Sequence, residues 1–262
     1  MTKEPKKTAG TWTFLAIFSL LWLILLELNK NTLAGWALTI ALMTDYFLIY
    51  RKALRGRKWI WRFLAFLLLA GLLTIVLFTT RGPVKNRPAV EGTNGGITDI
   101  VTVKDGQITG VYTADRAVEV YAGIPYAAPP VGVLRWREPQ DPEPWEGILA
   151  ADTFAPMSMQ PRQSEIYNSL AQVIGYHDYR ISLRDNYRDA NSEDSLYLNI
   201  WKPAGEQDKL PVLVYIHGGS LQTGQPWYDD YRGEGLARKG VMVVNMGYRL
   251  GVFGFLATEE LA

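Results

Sequence analysis

The sequence predicts an α/β domain carried behind three transmembrane helices, and three observations predict it. Three long apolar stretches dominate the first 80 residues. The chain then turns to the Gly, Pro and mixed charge of a water-facing domain. Within that second part, Pro211 to Gly224, PVLVYIHGGSLQTG, breaks from a β-rich apolar run into His-Gly-Gly-Ser. A short helix, Tyr231 to Lys239 closed by Gly240, and another apolar strand, Val241 to Met246, follow it. Strand, loop, helix and strand in that order imply a parallel pair joined by a right-handed crossover. A run as continuously apolar as VLVYI is what a sheet buried on both faces requires.

Crossing ~30 Å of hydrocarbon at ~1.5 Å per residue sets the length of each span. Helices are expected at about 8–28, 33–50 and 59–80. Thr8 to Leu26 and Phe63 to Thr80 carry no charge, and Trp59, Trp61 and Arg62 introduce the third span at an interface. A signal peptide would have a short apolar core and a cleavage site, with no further long apolar segments behind it, so the module reads as a retained anchor. Lys3, Lys6 and Lys7 precede the first span, and Arg51, Lys52, Arg55, Arg57 and Lys58 fill the loop between the second and third. Two crossings separate these basic clusters, which places both on the cytoplasmic side. The Asn29 to Thr32 turn is then outside, and the third span carries everything after Arg81 outward. The basic loop has two readings: topology alone, or binding of anionic lipid head groups. Asp45, in the middle span about one and a half turns from Arg51, either snorkels or pairs near the interface, or has a functional role.

With 27 Lys and Arg against 26 Asp and Glu, the charge balance points to neither nucleic acid nor a strongly acidic partner. The absence of cysteine excludes disulfides, thiolate metal sites and Cys nucleophiles from these 262 residues. Gly82 to Gly96, GPVKNRPAVEGTNGG, has no apolar period and reads as a tether, giving a membrane module 1–81, a linker 82–96 and a domain 97–262. Ile100 to Val103, Asp105-Gly106 and Ile108 to Tyr112 read as a hairpin whose turn tolerates positive φ, and a strand is expected at Leu196 to Trp201. The terminal ATEELA resembles a helix beginning, with Thr258 as cap and Glu259 and Glu260 in its first turn.

His217-Gly218-Gly219-Ser220 follows an apolar strand in the way an oxyanion hole is built, because glycines let backbone N–H groups point at one spot where a tetrahedral intermediate places its negative oxygen. No G-x-S-x-G occurs, and Ser220 lacks the second flanking glycine of a nucleophile elbow.

At these residues the chain resembles the type B carboxylesterase family of α/β-hydrolases. The blocks that carry the resemblance are GIPYA at 123–127, PPVG at 129–132, LRW at 134–136, PWEG at 144–147, SEDSLYLNIW at 192–201, HGGS at 217–220, YRLG at 248–251 and GFL at 254–256. The resemblance implies the N-terminal portion of an α/β-hydrolase fold over 97–262, truncated before the nucleophile, behind the three transmembrane helices. It places the oxyanion donors on the backbone amides of Gly219 and Ser220 and makes His217 structural. It also pairs Arg135 with Glu193 and leaves Arg249 without the acid it would meet in the family. The family's cysteine positions correspond to Ser158 and Ser195, so the loop Met159 to Asn191, with Tyr167, Tyr176, Tyr179 and Tyr187, is unstapled. Those tyrosines either shape a substrate pocket or pack. His177 sits in a segment without a family match, and Gly247 stands where the family usually has Asn.

The resemblance implies a membrane-anchored carboxylic ester hydrolase using a serine acyl-enzyme, with the nucleophile and catalytic His outside this chain. Its partners would be a small-molecule carboxylic ester and the lipid bilayer, with no nucleic acid and no cofactor. The alternative is a non-catalytic cholinesterase-like binding or adhesion module on the same anchor.

Overall fold

The computed structural model describes residues 6–161, 166, 170, 173, 174, 187–205 and 209–259, with backbone alone at 6–9. Lys3, Tyr167, Tyr176, Tyr179, His177 and Glu260 lie outside the described residues. The chain forms two compact units, Met1–Val84 with Gln163–Arg188, and Lys85–Arg162 with Asp189–Ala262.

The first unit contains α1 (Lys6–Leu28), α2 (Leu33–Ile49) and α3 (Trp59–Thr79). By length and composition each is apolar enough to cross a membrane. The second runs past its expected end through a π-helical turn, Tyr50–Leu54, so Arg51 and Lys52 are helical rather than part of a loop. No Gly or Pro interrupts the chain between Tyr50 and Gly56, and nothing in the sequence stops the helix earlier. Asp45 is exposed on α2 and forms no ion pair among the described residues.

Leu69, Leu73, Val76 and Leu77 make the buried stripe of α3 at helical spacing. At its end, the last carbonyls that any helix leaves without a partner are met by the α1–α2 turn. Asn29 Nδ2 donates to the Leu77 carbonyl at 2.8 Å, and Asn31 Nδ2 donates to the same carbonyl at 2.9 Å and to Thr80 Oγ1 at 2.8 Å. The Thr32 N–H takes the Thr80 carbonyl at 2.9 Å. Both asparagines are fully buried, so these bonds satisfy carbonyls that solvent does not reach.

The second unit holds β2 (Val101–Val103), β3 (Gly106–Thr109), β4 (Val111–Tyr112), β5 (Val118–Pro125), β6 (Ile148–Ala150), β7 (Met157–Ser158), β9 (Asn191–Ser192), β10 (Tyr197–Pro203), β11 (Val212–Ile216) and β12 (Met242–Met246). The two-residue strands β1 (Val84–Lys85) and β8 (Arg188–Asp189) lie at the junctions of the units. The main sheet has the order β11-β12-β10-β5-β4. Within it β11 and β12 are parallel, Val212 opposite Met242 through Ile216 opposite Met246, and the remaining pairs are antiparallel. The crossover between β11 and β12 contains only one short helix, α4 (Glu234–Ala237), preceded by a 3₁₀ turn at Asp229–Tyr231, where the sequence suggested a single helix over 231–239. Gly233 lies between the two, and a Cβ there would meet the Val243 and Trp201 side chains at 2.7 and 2.9 Å, so the chain drops onto the sheet at that point.

Gly123 accounts for the GIPYA block. It sits at φ +73°, and the register of β10 against β5 slips there, pairing Asn199 with Ala122 but Leu198 with Ile124. This is a β-bulge, which re-aims the residues after it. Val118, Val120 and Ala122 therefore pack with Phe154, Trp201 and Val243 on one face, whereas Tyr121 and Ile124 join Ile108 and Ala151 on the other.

Two sequence expectations are corrected, and that for Arg249 is not. The hairpin turn is Lys104-Asp105, flanked by the Val103–Gly106 pair, and the run after it divides at Gly110, where a Cβ would strike the Tyr121 ring at 2.8 Å. The VLVYI strand is the sheet's edge among the described residues, with Val212 57% and Ile216 62% exposed. Arg249 is only partly buried, and its guanidinium donates to the Arg137 carbonyl at 2.8 Å. Among the described residues it pairs with no acid, as the resemblance implies.

The Arg135–Glu193 pair forms as the resemblance implies, bidentate at 2.5 and 2.7 Å. A second bidentate pair joins Arg238, just after α4, to Asp115. Arg238, then the Thr113 hydroxyl and the Ala117 N–H, hold the Asp115 carboxyl well below the usual carboxylate range. A carboxylate depressed on folding stabilises above its unfolded pKa and loses that contribution as pH falls through its folded one. The unfolding midpoint of Arg238→Met should thus lie below wild type by a constant margin above about pH 5, and the margin should shrink below about pH 4. Urea titrations across that range measure it.

Candidate active site

β11 delivers the chain into His217, which is buried beneath the loop. Its ring stacks on Tyr248 with centroids 4.5 Å apart, and the Tyr248 hydroxyl donates to the His217 carbonyl at 2.6 Å. Nδ1 lies 2.9 Å from the Gly218 carbonyl, which can only accept, so Nδ1 carries the proton. Burial pushes the imidazole pKa down, and the Gly218 bond opposes this only in part. The buried ring thus packs beneath the loop and against Tyr248.

Gly219 follows at φ +126°, and a side chain there would drive into the Thr223 carbonyl. Ser220 and Leu221 then both adopt left-handed φ, 55° and 60°. Two consecutive non-glycine residues in this region store roughly 1–3 kcal/mol each and must be held from outside. The N–H groups of Gln222 and Thr223 bind the Gly219 carbonyl at 3.1 Å each, and the Gly251 N–H binds the Leu221 carbonyl at 2.7 Å. Beyond them the Gln160 side chain clamps Gly224 from both sides, accepting its N–H at 2.9 Å and donating to its carbonyl at 2.8 Å. Asn245, buried in β12, donates to the Pro226 and Tyr231 carbonyls at 2.9 and 2.6 Å and fixes the far end of the segment.

Among the described residues, no acceptor takes the N–H of Gly219 or of Ser220. Successive unpaired N–H groups in such a turn form a concavity suited to an anion. Beside Ser220 opens a cleft of about 700 Å³, walled by Met159, Leu221, Val252, Phe253, Phe255 and Leu256. The Ser220 hydroxyl has no hydrogen-bonded base among the described residues.

Behind the loop, Ser158 and Ser195 meet in the interior, their hydroxyls 2.9 Å apart, and Ser158 also donates to the Tyr248 carbonyl at 2.6 Å. Gly247 packs against the same spot: a Cβ there would sit 2.8 Å from the Ser195 carbonyl, which accounts for the missing side chain. Of the loop tyrosines only Tyr187 is described. Tyr248 and Gln160 were not singled out from the sequence. Tyr248 was visible only as a letter in the YRLG block, and Gln160 lies in a stretch with no periodicity.

The Carboxylesterase family matches residues 97–262. The chain is 38% identical over 200 residues to a medium-chain fatty acyl-CoA hydrolase precursor of Anas platyrhynchos, covering 75% of this chain and 32% of that protein. It is 39% identical over 161 residues to the para-nitrobenzyl esterase of Bacillus subtilis, covering 60% and 29%. A solved PNB esterase superposes with a TM-score of 0.50 at 36% identity, over 62% of this chain and 30% of that one. The chain thus spans about a third of the length of the relatives it matches.

Proposed function

The chain belongs to the carboxylesterase family, and on that premise we propose that it forms the N-terminal part of a membrane-anchored carboxylic ester hydrolase acting through a serine acyl-enzyme. Its mixed sheet is the first portion of the α/β-hydrolase fold. The observation that carries the reading is the unaccepted N–H of Ser220 beside an apolar cleft, with the unaccepted N–H of Gly219 just before it. In ester cleavage a serine oxygen adds to the carbonyl carbon, and the carbonyl oxygen takes up the negative charge. Two preset N–H dipoles stabilise that oxygen without reorganising at the moment of reaction. The apolar walls receive the acyl or alcohol portion of the ester. The named relatives, a fatty acyl-CoA hydrolase and a para-nitrobenzyl esterase, suit such a cleft. The nucleophile and its base come from outside these 262 residues, which contain no G-x-S-x-G. An adhesion module would have no use for unpaired donors held beside the strained Ser220–Leu221 turn.

The test joins this chain, after Ala262, to the remaining part of the Bacillus subtilis relative. The fusion should hydrolyse p-nitrophenyl acetate, and the 262-residue chain alone should not exceed the solution rate. A folded but inactive fusion overturns the esterase reading. Turnover by the unextended chain that Ser220→Ala abolishes overturns the amide assignment.

The basic clusters and the three apolar helices support a cytoplasmic N-terminus and an esterase domain on the opposite side of the membrane. A reporter active only outside the cytoplasm should work when fused after Gly96. Its silence, with a cytoplasmic reporter active at the same position, overturns this topology.

A further inference from the structure

We infer that the first unit holds one anionic phospholipid, with an acyl chain in the cleft between α1 and α2 and the headgroup at the basic turn that follows α2. The cleft encloses about 380 Å³ and is walled by Trp12, Leu15, Phe18, Met43 and Phe47, with Leu69 of α3 as its floor. Apart from Ser19 and Tyr46 the lining is apolar, so an alkyl chain fills it at little polar cost. Along α1 the cleft runs from Trp12 to Ser19, about 10 Å at the helical rise. It therefore reaches from one membrane interface toward the bilayer's middle, as the upper part of an acyl chain does.

The mouth of the cleft is positively charged. Trp12 packs on Phe47 and on Tyr50, with ring centroids 5.1 and 5.3 Å apart, and Tyr50 begins the π-helical turn. Arg51 and Lys52 lie in that turn, and Arg55, Arg57 and Lys58 follow, all exposed. Between Asp45 and Glu91 the sequence has no acidic residue to offset these five cations. Arg62 lies in the first turn of α3. The Arg62 Nε is shut off from solvent and has no hydrogen-bond partner among the described residues. A phosphate can reach the exposed Arg51 and Lys52, and a headgroup with net negative charge would answer the cluster as a zwitterionic one does not.

The probe is phosphatidylglycerol mixed in equal parts with phosphatidylcholine in nanodiscs holding the 262-residue chain. Native mass spectrometry of the released protein should find one retained phosphatidylglycerol, strongly enriched over phosphatidylcholine. Arg62→Gln and Arg51→Gln should each weaken retention on the order of fivefold. Ala16→Trp, which fills the cleft and leaves the charges in place, should also abolish selective retention. Equal retention of the two lipids overturns the proposal. So does loss with the charge variants but not with a normally helical Ala16→Trp chain, since that pattern marks a diffuse electrostatic film. Should Ala16→Trp lose helix content, phosphatidylglycerol with a photoreactive acyl chain answers on the unaltered protein. Crosslinks at Leu15, Met43 and Phe47 support the site, and crosslinks confined to the outward-facing Leu20 and Leu21 overturn it.

Discussion

In a chain completed by the remainder of a family domain, replacing Ser220 with proline is expected to lower kcat by about 10²- to 10³-fold with little change in KM. Proline has no N–H, so the substitution deletes one of the two proposed oxyanion donors, and a single oxyanion donor is worth that much in rate. It also fixes φ near −65°, against the 55° that Ser220 adopts. A comparison is therefore needed that separates lost donor from lost shape. Ser220→Gly keeps the N–H and relaxes the left-handed strain, so it should retain turnover and melt no lower than wild type. Ser220→Ala keeps the N–H as well and should cost little. If alanine is as damaging as proline while glycine is also inactive, the hydroxyl is the working group and the amide assignment fails. Gly219→Ala is expected to fall with the proline variant, because its methyl would push the Thr223 carbonyl away and turn both N–H groups out of line.

The parts legible in the sequence were those where one residue type answers one local demand. Gly219 sits at a positive φ that favours glycine, so the residue type itself marks the turn in the His-Gly-Gly-Ser segment. Asp and Arg periodicity told nothing comparable, and ion pairs were read only where the resemblance supplied the partner, as at Arg135 and Glu193. What escaped was set by neighbours distant in the chain. VLVYI has the composition of a doubly covered strand, but burial depends on what packs against it, and among the described residues β11 is an edge. Gln160 earns its role only because Gly224 arrives beside it from 64 positions away. The bulge at Gly123 was hidden because a glycine in a strand pattern can mean a bulge, a bend or a close contact, and only the β10 pairing distinguishes them.

The Ser158–Ser195 contact leads to the largest expected gain in stability. Replacing both by cysteine should yield a disulfide that forms on mild oxidation and stabilises the second unit by about 4 kcal/mol, the loop-closure entropy for a loop of this length. The two positions are 37 apart in sequence, and both are buried, at 5% and 3% exposure. Their hydroxyls already lie 2.9 Å apart, so two sulfur atoms need close only a short gap to reach the ~2.05 Å bond. β7 pairs in parallel with β9, Ser158 opposite Ser192, which holds the first position in register with the segment that carries the second. The reduced double variant should in contrast be weaker than wild type, because it loses the hydroxyl bonds to Ser195 and to the Tyr248 carbonyl, each worth about 1 kcal/mol. Since Tyr248 stacks on His217, loosening that carbonyl should also be felt at the Gly219 loop in the reduced form and be restored on oxidation. Urea unfolding of the oxidised and reduced proteins, followed by the fluorescence of the buried Trp201 and Trp227, measures the gain directly. Failure to form an intramolecular disulfide, or an oxidised midpoint no higher than wild type, would refute the geometry on which the pairing of these two serines rests.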